Sequence, residues 1–337
     1  MTQKLIPFIS QLALSEQLRW LERLNELFEQ RTAHQPTVCN STSDNDTYPI
    51  ANIKVVLAST LSDSEKSQCE IAIVANPEPD VLADFPKLVW IQSLWAGVER
   101  LVAEIPSPSF EIVRLVDPCL AKTMAEAVVA WTLYLHRNMP EYAQQQKNKT
   151  WQQLPYTPAK NLRVSVLGAG NLGTAALKAL QTFNYQLNCW SRTPKHLNGV
   201  KNYTGDSGLK SMVRNSDILI SLLPLTSETN HLLGSNLLKL LPSGAKVINF
   251  SRGAVIDTKA LVELLDNRHI AHAVLDVFEQ EPLAPTNPKW CNPNITVLPH
   301  ISAPTEMSSA INIASENIKN YRDFKVIPNF VNTNLGY

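Results

Sequence analysis

A glycine-rich turn, Gly168-Ala169-Gly170-Asn171-Leu172-Gly173, follows directly on the strand-like run 163–167 and opens a segment of helical length, 174–183. A strand, a turn and a helix in that order are what a dinucleotide pyrophosphate requires. Gly168 permits the tight turn, Gly170 lets the backbone approach the phosphates, and Gly173 lets helix and strand pack closely. The helix N-terminus adds amide donors and the positive end of a dipole. The next strand-like run, 186–190, ends about 20 residues further on, as a mononucleotide-binding unit demands. A bare GxGxxG marks only a loop in many chains, and it is the flanking strand and helix that give it chemical meaning here.

At the end of that second strand, a nucleotide lacking a 2′-phosphate is met by an acidic side chain that binds the ribose hydroxyls. This chain has none there and reads Trp190-Ser191-Arg192-Thr193-Pro194-Lys195 instead. A guanidinium, an ammonium and two hydroxyls are groups that pair with a phosphate dianion. The expectation is NADP(H), with NAD(H) as the alternative. In the competing reading, Arg192 and Lys195 are solvated loop cations.

Three further segments carry ionisable groups where strands should end. The run 247–253 leads into Arg252 and Gly253, the run 273–282 delivers Asp276, Glu279 and Glu281, and the run 295–300 reaches His300 through a stiffening Pro299. In an open parallel sheet the carboxyl ends of the strands face the ligand crevice, so all three can point at a bound dinucleotide. The other histidines, His34, His136, His196, His231, His269 and His272, lack this setting.

Taken in order, Gly168 to Gly173, Asn249-Phe-Ser-Arg-Gly253, Leu275-Asp-Val-Phe278 with Glu281-Pro282, and Leu298-Pro-His300 resemble the motifs of the D-isomer-specific 2-hydroxyacid dehydrogenases. Trp190-Ser-Arg192, Arg114-Leu-Val-Asp-Pro118 and the terminal Gly336-Tyr337 look like the glyoxylate and hydroxypyruvate reductase A type within that family. The likeness runs from about residue 71 onward, whereas the first 70 residues match only in general layout.

The resemblance implies that His300 protonates the oxygen of a 2-oxo acid as hydride reaches its C2. It implies that Glu281 binds the far nitrogen of His300 and orients the ring. Arg252 would grip the substrate carboxylate and carbonyl. Asp276 would accept from the nicotinamide carboxamide, with Leu223 and Pro224 completing the cofactor set. No metal is expected. Glu279 competes with Glu281 for the carboxylate role, and adjacency to Pro282 favours Glu281, leaving Glu279 as a surface charge.

The turn 93–98 offers the amides of Ala96 and Gly97 to the substrate carboxylate, although it also reads as a plain strand-to-helix turn. Trp95 and Glu99 replace the small residue and aspartate usual in the family. A tryptophan on the pocket wall would favour small acids such as glyoxylate and hydroxypyruvate. A larger D-2-hydroxy acid such as phosphoglycerate is the rival substrate, and a dinucleotide-sensing regulatory protein is the rival class. Trp131 and Trp151 read as core or interface residues.

These residues need a scaffold, and the rest of the sequence describes it. Short strand-like runs at 5–9, 53–58, 71–75, 88–92, 163–167, 186–190, 218–222, 246–250 and 273–277 alternate with helix-length segments, the signature of parallel, helix-covered sheets. Leu14, Leu18, Leu21, Leu24 and Phe28 recur at helical spacing. Residues 40–48 are polar and read as a surface loop. Two apolar helices, 123–137 and 306–321, look like connectors between halves.

The expected fold is α/β, with two Rossmann-like domains: a substrate domain from 1–117 and 302–337, and a dinucleotide domain from 118–301 inserted into it. The active site is expected in the cleft between them, with hinges near Asp117 and Ile301. The resemblance implies a homodimer through residues 123–142.

Composition excludes several alternatives. The 337 residues carry 30 basic and 30 acidic side chains, so no general field attracts nucleic acid or an anionic membrane. No apolar stretch is long enough to span a bilayer. Five cysteines, scattered without a CxxC pair, argue for a reducing, cytoplasmic setting rather than a disulfide framework.

Overall fold

The computed structural model describes residues 4–33, 53–333 and 336. His34, Cys39 and the expected loop 40–48 lie outside them. The chain divides into two compact units, residues 1–117 with 305–337 and residues 118–304. Each is a parallel sheet covered by helices on both faces, an α/β architecture of Rossmann type.

Among the described residues the first unit holds five strands, β1 (Lys4–Ser10), β2 (Ile53–Leu57), β3 (Ile71–Ala75), β4 (Trp90–Ser93) and β5 (Glu111–Val113), in the order β2-β1-β3-β4-β5. Central β3 is buried throughout, so its side chains serve both faces in alternation. Ile71, Ile73 and Ala75 meet the helices Leu14–Ala33 and Met307–Phe324, whereas Ala72 and Val74 meet Leu82, Phe85 and Leu101 on the other side. Each fully buried Ile or Val stabilises the unit by about 1.5–3 kcal/mol.

The first helix buries part of the stripe its leucines suggest: Leu24 and Phe28 are buried and Leu21 packs beside them, whereas Leu14 and Leu18 are 61% and 47% exposed and Trp20 is buried in their place. Trp20, at the i−4 position to Leu24, supplies the apolar area that those two leucines were expected to supply.

The second unit holds seven strands: β6 (Arg163–Leu167), β7 (Gln186–Trp190), β8 (Val200–Tyr203), β9 (Ile218–Ser221), β10 (Ala245–Asn249), β11 (Ile270–Leu275) and β12 (Ile295–Val297). Their order is β12-β11-β10-β9-β6-β7-β8, with every pairing parallel. Strand β11 starts three residues before the expected 273 and stops at Leu275, which frees Asp276 and Val277 to turn. Strand β8, Val-Lys-Asn-Tyr, escaped the sequence reading because an edge strand with a single β-branched residue carries little apolar signal.

Both apolar helices read as connectors pack inside one unit. Met124, Val128 and Leu135 of the helix Pro118–His136 join Ala176, Leu177 and Leu180 of the helix Asn171–Gln181. Ala310, Ile311, Ala314 and Ile318 do the same in the first unit. Trp131 is half-buried, edge-on to Tyr134 at 5.1 Å, but Trp151 is fully exposed and has no place in a core. No described helix is long and apolar enough to cross a membrane.

Candidate active site

The glycine turn sits between β6 and the helix Asn171–Gln181, which begins three residues earlier than its apolar spacing implied. Gly170 is the residue just before its first turn. Gly168 adopts φ +97°, and a Cβ there would lie 2.8 Å from the carbonyl oxygen of Leu222. A Cβ on Gly173 would overlap the carbonyl of Gly168 itself. Both positions therefore exclude any side chain. Gly170 differs, since a Cβ there would meet nothing within 4 Å.

That open space lies directly before the helix amides, and it fits a pyrophosphate. Asn171 is exposed, Leu172 is half-buried, and Leu223 and Pro224 follow β9 alongside the turn. The carbonyl of Pro224 accepts the Thr229 hydroxyl at 2.6 Å.

Past the end of β7, Arg192, Thr193 and Lys195 are exposed and Ser191 is buried. The Ser191 hydroxyl donates to the Thr193 carbonyl at 2.8 Å and accepts from Asn202 Nδ2 at 3.0 Å. Its single proton is thus already committed inside the turn.

The carboxyl ends of β11 and β12 bring Glu281 and His300 together. Glu281 Oε2 lies 2.7 Å from His300 Nδ1, and Glu281 Oε1 accepts the Phe278 amide at 2.8 Å. One carboxylate is therefore fixed by the chain and fixes the ring in turn. This pair engages Nδ1 of the ring and not Nε2. Glu279 makes a separate pair, 3.3 Å from His231 Nε2.

His300 itself sits in the left-handed region at φ +55°. For a non-glycine residue that costs on the order of 1–2 kcal/mol, and the surroundings must enforce it. Asp276 does so. Its backbone carbonyl accepts the His300 amide at 2.9 Å, Oδ1 accepts the Ile301 amide at 2.7 Å, and Oδ2 accepts the Ser302 amide at 2.9 Å. Asp276 is 2% exposed, so this clamp is shielded from competing water.

Arg252 is positioned by a second buried polar residue. Asn249 ends β10, its Oδ1 accepts both the Ser251 amide at 3.1 Å and the Ser251 hydroxyl at 2.5 Å, and its Nδ2 donates to the Arg252 carbonyl at 3.1 Å. Arg252 Nη1 donates back to the Ser251 carbonyl at 2.7 Å. A Cβ on Gly253 would overlap the backbone of Phe278 and Glu279. Close approach at Gly253 therefore sets the arginine turn directly against the loop that carries Glu281.

The turn 93–98 belongs to the first unit. Ser93 Oγ accepts the Trp95 amide at 3.0 Å and donates to its carbonyl at 3.2 Å, and Leu115 donates its amide to the same carbonyl at 3.0 Å. Ala96 and Gly97 are half-buried. The Trp95 ring stands edge-on to Trp20 at 5.9 Å, packed on the core under the helix Leu14–Ala33. Nearby, burial pushes the Arg114 guanidinium below its usual range, and the charge of Glu99 partly offsets that.

Three positioning residues were missed by sequence reasoning. Asn249 was read only as part of the motif leading to Arg252, Asn202 lay in no expected element, and Asp276 was assigned only to the cofactor. The available signal was a polar side chain inside or just after a buried strand, which must find local partners.

The NAD-binding domain of the D-isomer specific 2-hydroxyacid dehydrogenases matches residues 129–302. A D-isomer specific 2-hydroxyacid dehydrogenase from Xanthobacter autotrophicus Py2, solved in complex with NADPH and MES, is 32% identical with a TM-score of 0.84, over 98% of this chain and 99% of that one. The chain belongs to this family. It is an oxidoreductase of the 2-hydroxyacid dehydrogenase type.

A probable 2-hydroxyacid dehydrogenase from Rhizobium etli CFN 42, in complex with NADP, HEPES and L(+)-tartaric acid, matches at 26% identity and TM-score 0.83 over the whole of both chains. An NADPH-dependent glyoxylate/hydroxypyruvate reductase from Sinorhizobium meliloti shares the fold at 24% identity and TM-score 0.82, over 99% of this chain and 100% of that one.

Proposed function

We propose that this dehydrogenase reduces small 2-oxo acids, glyoxylate to glycolate and hydroxypyruvate to D-glycerate, with NADPH as the preferred reductant. The observation that carries the reading is the His300–Glu281 pair at 2.7 Å, beside an arginine turn locked against the same loop. Bound at the glycine turn, the nicotinamide cofactor supplies the hydride. The protein's own groups supply everything else.

Arg252 holds the substrate carboxylate and draws electron density toward the carbonyl oxygen, which fixes C2 for attack. His300 gives its Nε2 proton to that oxygen as it becomes an alkoxide. Glu281, fixed through the Phe278 amide, holds Nδ1 and keeps the ring turned so that Nε2 faces the oxygen. Asp276 keeps His300 in its left-handed conformation through three consecutive amides.

The NADPH preference rests on the exposed Arg192, Thr193 and Lys195 and on the missing acid at the end of β7, and two relatives solved with NADPH or NADP support it. A cytoplasmic homodimer through residues 123–142 completes the reading, with Met139 and Tyr142 as exposed apolar contacts.

The test is the oxidation of NADPH and NADH, followed separately, with glyoxylate, hydroxypyruvate, pyruvate and 3-phosphohydroxypyruvate. The expected result is turnover of the first two with NADPH at least about tenfold above NADH in kcat/KM, the value of one charged phosphate contact. Binding of NADPH without turnover of any 2-oxo acid would overturn it in favour of a sensing role.

A further inference from the structure

The cations expected to read a 2′-phosphate lie on a turn that has little backbone bonding of its own. Pro194 has no amide proton, and the Lys195 amide goes to a side chain rather than to the backbone. What holds the turn comes from the next strand. Asn202 on β8 is the register partner of Cys189 on β7, so its side chain reaches the carboxyl end of the strand from which the turn departs.

Asn202 bonds both ends of the turn at once. Its Oδ1 accepts the Lys195 amide at 2.9 Å, and its Nδ2 donates to Ser191 Oγ at 3.0 Å. The same Nδ2 lies 3.2 Å from Cys189 Sγ and 3.5 Å from the Cys189 carbonyl. Ser191 Oγ relays the connection by donating to the Thr193 carbonyl at 2.8 Å, while the Ser191 amide is held by the Tyr203 carbonyl at 3.1 Å. Donor and acceptor roles are fully specified: a flipped amide would set its NH2 against the Lys195 N–H. No isosteric apolar residue can make either bond.

We propose that Asn202 is the positioning residue that sets the preference for a 2′-phosphorylated nucleotide, by tying Ser191 to Lys195 so that Arg192, Thr193 and Lys195 face outward together. This rests on the NADPH reading above. Asn202 does not touch the phosphate. It determines whether three exposed side chains converge on one point or move independently, which separates a tight dianion site from a weak one.

The chemistry of position 202 also defines an opposite case. An aspartate there keeps the acceptor for the Lys195 amide, loses the donor toward Ser191, and places a carboxylate beneath the turn, where it repels a phosphate dianion.

The experiment is isothermal titration of the intact protein with adenosine 2′,5′-bisphosphate and with 5′-AMP, on wild type, Asn202→Ala and Asn202→Asp, together with steady-state constants for both coenzymes. Wild type is expected to bind the bisphosphate about tenfold or more tightly than 5′-AMP. Asn202→Ala should remove most of that margin while 5′-AMP affinity stays within about twofold, and KM for NADPH should rise about tenfold at little-changed kcat. Asn202→Asp should abolish or reverse the margin.

If wild type itself shows no margin, the NADPH reading fails. If wild type shows it and the folded variants retain it, the positioning role of Asn202 is overturned while the NADPH reading stands. Should Asn202→Ala not fold, Asn202→Asp decides by the same titration.

Discussion

Arg252 and Arg192 each stand just beyond the carboxyl end of a parallel strand, and each turn is braced by an asparagine, yet the two are built to different tolerances. Asn249 is 1% exposed and braces its turn from the same strand, and Gly253 then packs that turn against Phe278 and Glu279 with no space for a methyl group. Asn202 is only half-buried and braces its turn from the neighbouring edge strand, and Arg192, Thr193 and Lys195 on that turn are exposed. Position matters most where bonds are made and broken, because a small displacement of a polarising group lowers its effect on the transition state steeply. Recognition of a phosphate tolerates more adjustment, since charge attraction falls off gradually with distance.

This contrast makes ordered predictions. Arg252→Ala removes the group proposed to bind and polarise the 2-oxo acid, and kcat/KM should fall by about 10²–10³ with both coenzymes alike, as measured by initial rates. A fall confined to NADPH would break the distinction between the two turns.

Gly253→Ala forces a methyl group into the backbone of Phe278 and Glu279. Overpacking of that kind should cost about 2–3 kcal/mol in urea unfolding and lower kcat as well, because Arg252 and Glu281 shift together. Retention of wild-type stability would show that the catalytic turn is looser than its contacts suggest.

Arg192→Ala should have the smallest effect, a rise of about tenfold in KM for NADPH, with the constants for NADH and for the 2-oxo acid unchanged. An unchanged KM for NADPH would mean that Arg192 is a solvated cation and that Lys195 and Thr193 carry the recognition.

Much of this was legible in the sequence, for identifiable reasons. The glycine turn was readable because Gly168 and Gly173 permit no other residue where strand and helix meet. The buried strands were readable because their runs are short and mostly apolar, as β3 and β9 show. What escaped had a weak or misleading signal. Strand β8 is a polar edge, and the stripe of the first helix depends on Trp20, a residue outside the leucine spacing.

The braces Asn249, Asn202 and Asp276 were hidden for a different reason. Their function lies in hydrogen bonds to backbone amides and carbonyls, including amides of residues distant in sequence, and neither periodicity nor motif spacing records where those groups point. Ser191 shows the converse. Its residue type suits a phosphate, but its proton is already committed to Thr193.

The central claim is that His300, held by Glu281 and Asp276, is the acid for reduction of a 2-oxo acid. The most direct measurement is the single-turnover rate of NADPH oxidation by glyoxylate on His300→Ala, with NADPH binding followed in parallel by fluorescence titration. The account predicts NADPH affinity within about twofold of wild type and a rate lower by about 10²–10⁴, the contribution of a positioned general acid. A near-normal rate in a variant that still binds NADPH would contradict it.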